Sequence, residues 1–263
     1  MITRNLDKAR DAFKNKNIEA SVKAHQHKNV RAEERHSAAG QYIKSLVYGG
    51  LDGTITTFAV VAGVAGAALS PGIVLIMGFA NLIGDGLSMA MGDYLSTKSE
   101  MEYQTAERER ETWEVQNYPE GEKLELMELY INKGMDKEDA KIVTDIISKN
   151  KEAWVDIMMV EELGIIEEKE SPIKNALVTF ASFLVFGFIP LITYVVSKLI
   201  PGRGMNLFVA SSVLTAATLF TLGALKVRVT GRNWIVSGLE MLLVGGLTAA
   251  AAYGIGTLLS GVA

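Results

Sequence analysis

Residues 72–116 read GIVLIMGFANLIGDGLSMAMGDYLSTKSEMEYQTAERERETWEVQ, an apolar run that passes into a charged one with neither Pro nor Gly after Gly92. Nothing in it stops a helix. At about 1.5 Å per residue the helix would be roughly 65 Å long, whereas a bilayer core takes only about 20 residues. The stretch is therefore expected to cross a membrane and project into water. In the apolar half, Asn81, Asp85, Met89 and Asp93 recur every four residues and form one polar stripe. In the charged half, Glu100, Glu107, Glu111 and Glu114 share a face. A carboxylate inside a bilayer is costly and marks a functional site by default; a carboxylate ridge just outside suggests cations.

The rest of the chain fits an integral membrane protein. Of 263 residues, 49% are hydrophobic, and they are clustered rather than spread. There is no cysteine, which excludes disulfides, thiolate metal sites and cysteine nucleophiles. The net charge of −4 conceals a basic segment 1–44 and a stretch 98–174 that is acidic by roughly two to one. The basic segment lacks the apolar core of a cleavable signal and reads as a solvated or interfacial helix near anionic lipid. His25 and His27 form an H-x-H without the carboxylate or Cys company that a metal site needs.

A first span is expected over Ser45–Leu69, with Asp52 one or two turns inside and Gly50 and Gly53 permitting close helix approach. Ser70, Pro71 and Gly72 turn the chain into the second span, so the pair 45–97 forms a hairpin. Residues 98–172 are too charged for lipid. In them Asn117, Pro119 and Gly121 break the long helix, and a short helix carries Glu122, Glu125 and Glu128. Gly134 ends that helix, and Asp136 with Asp139 starts the next. Met158 and Met159 then lie one turn from Glu162, two thioethers beside a carboxylate. An acidic helix is usually a solvated face and a Met pair usually core filler; three helical segments bringing carboxylates together favour metal binding.

Three more spans follow in 173–263, about Ala176–Lys198, Leu207–Leu225 and Trp234–Leu259. Pro190 should kink the third, and Glu240 adds an intramembrane carboxylate, either an ion group or one end of an interhelical hydrogen bond. The expected fold class is all-α, with five spans and a three-helix insertion between the second and third. Lys226, Arg228 and Arg232 share a side with the basic N-terminal region, which puts that region and the insertion in the cytoplasm and the C-terminus outside or in a lumen.

These residues resemble the vacuolar iron transporter family of Fe2+/H+ antiporters, which includes the yeast vacuolar iron and manganese carrier and plant nodulin-like relatives. The likeness runs from Lys44 to the C-terminus and is strongest in YGGLDGTITTFAVVAGVAG, LSMAMGDYLSTKSE and WVDIMMVEELG. The first 40 residues stand outside it. The resemblance implies a homodimer of five-helix protomers with a path along the first two spans through Asp52 and Met89, to which the polar stripe adds Asp85 and Asp93, and Glu240 is a further candidate. It also implies metal ligands Glu111, Glu114, Glu122, Glu125, Met158, Met159 and Glu162. The family usually has another acid one turn after Glu162, where this chain has Ile165, leaving Glu161 or Glu167 as substitutes.

Carboxylate and thioether together suit Fe2+ and Mn2+, with Zn2+ and Co2+ also candidates. The expected function is thus proton-coupled export of divalent metal, foremost Fe2+, from the cytoplasm, with no cofactor and no nucleic-acid partner. A Mn2+ carrier of the same mechanism and a membrane-anchored metal buffer are the alternatives. Enzyme chemistry is not expected, because neither a nucleophile with its base nor a phosphate-binding Gly loop is present.

Overall fold

A computed structural model describes residues 11–13, 15–24, 43–166, 171–200, 206–230 and 233–261. His25, His27, Glu167 and Arg232 lie outside the described residues. The described residues include the helices α1 (Ile18–Ala24), α2 (Ile43–Gly66), α3 (Pro71–Asn117), α4 (Pro119–Asn132), α5 (Lys137–Ile147), α6 (Lys151–Glu161), α7 (Pro172–Phe188), α8 (Ile192–Leu199), α9 (Leu207–Thr230) and α10 (Trp234–Leu259). Among the described residues, five segments are long and apolar enough to cross a membrane: Lys44–Gly66, Pro71–Asn117, Pro172–Leu199, Leu207–Leu225 and Trp234–Leu259. The chain is a multi-pass helical membrane protein.

The helix α3 is uninterrupted over 47 residues, as its lack of breakers requires. Contacts divide the chain into two units, 1–86 with 181–263, and 87–180. In the first, α2 packs on α9 and α10. The approach needs glycine: a Cβ at Gly53 would lie 2.5 Å from the Phe183 carbonyl oxygen, and one at Gly256 would lie 2.1 Å from that of Gly63. Pro190 interrupts the third span with a 3-10 turn, Ile189–Leu191. The Pro190 carbonyl accepts a hydrogen bond from the Ser211 hydroxyl at 2.6 Å, so a neighbouring helix compensates the break.

In the second unit α4, α5 and α6 follow the charged end of α3. Val115, Leu126, Trp154, Val155, Met158, Met159 and Ile165 form its core. Asp136 caps α5 by accepting from the backbone N–H groups of Glu138 and Asp139. Gly134, at φ +98°, closes α4 as expected from its position. Gly121 instead lies inside the first turn of α4, where the Tyr118 ring fills the space a Cβ would take. The break is made at Tyr118–Pro119 alone, because Pro at the first helical position needs no N–H partner.

Candidate metal site

Three helices place one carboxylate each at a common point. Glu111 comes from α3, Glu122 from the first turn of α4, and Glu162 caps the C-terminal end of α6. One oxygen from each lies within 4.8 Å of the other two. Two oxygens that each bind a divalent cation at roughly 2.0–2.6 Å are separated by no more than about 5 Å, so the spacing fits a shared ion. Glu111 and Glu122 are only 1% and 4% exposed. Their Oε1 and Oε2 atoms, respectively, are buried without a hydrogen-bond partner. Buried oxygens normally have partners, and a cation would supply one. The C-terminal end of α6 adds the negative end of a helix dipole beside Glu162.

Burial first, then the charge and hydrogen bond of Glu122, pushes the Glu111 carboxyl up to about 8. Glu122 is raised by burial and held back by its hydrogen bond with Glu111. Glu162 is raised by burial and by Glu125, with Arg110 opposing. The Glu111 and Glu122 pair is therefore expected to share a proton in the metal-free state at neutral pH. A raised carboxyl means that the folded state binds more protons than the unfolded chain between pH 4.5 and about 8. Metal-free stability is full below that window and falls as pH rises through it, and a bound cation reverses the loss. Metal affinity is expected to rise by up to about tenfold per pH unit between pH 6 and 8 and then flatten. Titration calorimetry with Mn2+ in buffers of different ionisation enthalpy measures the affinity and the proton released.

The other residues singled out in the sequence are distributed around this point. Glu114 and Glu125 act electrostatically on Glu162, and Glu114 also pairs with Arg110 at 3.1 Å. Met158 and Met159 are fully buried in the core formed with Leu126 and Trp154. Glu161 is exposed and pairs with Lys133. Gly164 adopts φ +68° and the Ile165 N–H donates back to the Met159 carbonyl, which carries the Ile165 side chain into the core. Arg110, also bonded to Glu107, was not singled out in the sequence. Its spacing three after Glu107 and four before Glu114 was the available signal.

Within residues 1–86 and 181–263, the amide of Asn81 donates to Thr56 and Thr57 at 3.3 and 3.4 Å. Asp52 and Asp85 are within electrostatic reach of each other on the facing first and second spans. Within residues 87–180, Met89 is half-buried and Asp93 accepts a hydrogen bond from the Thr179 hydroxyl. Glu240 is on the exposed side of α10.

The fold and the cluster define a multi-pass helical membrane protein with a carboxylate site suited to divalent cations. The chain belongs to the VIT family, whose family model matches residues 43–257. It is 41% identical to a protein of Toxoplasma gondii named vacuolar iron transporter, over 97% of this chain and 89% of that one. A vacuolar iron transporter of Plasmodium berghei is 37% identical, over 95% of each chain. Vacuolar iron transporter 1 of Arabidopsis thaliana is 35% identical, over 84% of this chain and 87% of its own. The family model begins at residue 43, next to the Lys44 where the motif likeness begins, while the alignment to the Toxoplasma protein, over 97% of this chain, also takes in most of the basic N-terminal segment.

Proposed function

We propose that the chain exports divalent metal, foremost Fe2+, from the cytoplasm to a lumen or the exterior in exchange for protons. The observation that carries this reading is the three-carboxylate cluster with two buried, unpartnered oxygens. Support for iron comes from the relatives' names. In this reading the insertion faces the cytoplasm, the side favoured by the Lys/Arg distribution, and collects ions there. Asp52 and Asp85 then pass them between the first two spans. A carboxylate that holds a proton when empty and a cation when occupied exchanges one for the other.

Mn2+ is the second reading. The three clustered carboxylates offer oxygen donors, which suit Mn2+ as well as Fe2+. A metal buffer with inert spans is less well supported, since an anchor has no use for Asp52 and Asp85 within electrostatic reach of each other. The direct experiment is Fe2+ entry into vesicles containing the full chain and a trapped metal-sensitive dye. Entry no faster than into empty vesicles would remove the transport reading.

The functional unit in this proposal is a homodimer, in which a two-fold axis doubles Asp52 and Met89 along a common path. The absence of cysteine makes a clean test. Single cysteines introduced at and around position 89 are expected to give a crosslinked dimer band in membranes. Failure at several neighbouring positions would count against a shared path.

A further inference from the structure

A groove of about 530 Å³ lies along one face of α3 where it meets the start of α7, bordered by Tyr94, Lys98, Met101, Glu102, Glu109 and Ile173. It is separate from the carboxylate cluster, with which it shares no residue. Its position in the sequence is informative. On α3 the apolar run ends at Leu95, and Lys98 and Glu102 begin the charged half. On the other wall, Pro172 is the first residue of the third candidate span. The groove therefore straddles the boundary between hydrocarbon and water, with Tyr94 of the type enriched there.

We infer that this groove binds a phospholipid whose headgroup carries a primary amine, of the phosphatidylethanolamine class. Lys98 is suited to the phosphate and Glu102 to the ammonium. One turn of helix separates the two residues, so both side chains can reach one headgroup. Their present ion pair is a 3.6 Å contact between side chains 51% and 66% exposed. An exposed pair of this kind is worth little, so a headgroup that pairs with both partners can replace it. The acyl chains find apolar surface on Ile173 and Leu177, which are 62% and 61% exposed. One cation against the two carboxylates of Glu102 and Glu109 disfavours an anionic headgroup, and a quaternary amine cannot donate a hydrogen bond to Glu102.

Native mass spectrometry of the detergent-solubilised full chain, given equal amounts of phosphatidylethanolamine and phosphatidylglycerol, tests this without reference to metal transport. The parent is expected to retain phosphatidylethanolamine by about fivefold, the order of one interfacial charge contact. Glu102→Lys should invert the preference towards phosphatidylglycerol, and Lys98→Gln should weaken retention of both lipids. Free phosphoethanolamine should fail to displace the lipid at equal concentration, because it lacks the chains. Equal retention of the two lipids by the parent, or unchanged selectivity in Glu102→Lys, would overturn the assignment. Displacement by the free headgroup at equal concentration would overturn its lipid part.

Discussion

Replacing Asp52 with Ala is expected to reduce Fe2+ entry into vesicles to the level of protein-free controls. The same vesicles should show no coupled proton movement. Asp52 lies in the first span beside Gly53, whose missing side chain lets α7 come into contact. A carboxylate there is costly unless it holds a proton or meets a cation. Asp85 stands close enough to interact with it. Loss of Asp52 removes the exchange and leaves the carboxylate cluster of residues 87–180 untouched. Equilibrium metal binding by the full Asp52→Ala chain at that cluster should therefore persist. Asp52→Glu is expected to retain part of the activity. Parent-rate transport by Asp52→Ala would show that the path runs elsewhere.

The second large effect is expected from the quadruple change of Glu111, Glu114, Glu122 and Glu125 to Ala. Two of these residues supply cluster oxygens, and the other two add negative potential around them. Two lost charged contacts at roughly 1.5 to 3 kcal/mol each weaken metal binding at least about 100-fold. Transport at low external metal should slow accordingly. The helices should survive, because Ala is the better helix former and the buried like charges are gone. Calorimetry combined with far-ultraviolet circular dichroism measures both outcomes. Unchanged metal stoichiometry in a folded quadruple variant would sink the cluster as the binding site.

Much of the fold was legible because the signals were long or chemically unambiguous. Five apolar stretches of span length, the breaker-free run after Gly92 and the cap at Asp136 depend on local physics, and each appears at its expected place. The cluster was legible only as a set of candidates. Spacing placed Glu107, Glu111 and Glu114 on one face, but Glu107 is bonded to Arg110 while Glu111 is buried against Glu122. That distinction comes from how α4 and α6 fold back on α3, which no local pattern encodes. Met158 and Met159 show the same limit: spacing puts them near Glu162, and only the packing of three helices shows how deeply they are buried. The fate of Ile165 depended on a single backbone turn at Gly164, whose positive φ directs the following side chain inward. Glycine made such a turn available, but its direction was not readable.

The most direct test of metal exchange for protons is simultaneous recording of a metal dye and a pH dye trapped inside vesicles containing the full chain. Addition of Fe2+ outside is expected to raise the internal metal signal and, with the same time course, the internal pH, as protons leave against the entering metal. Metal entry with no change in internal pH would contradict proton exchange.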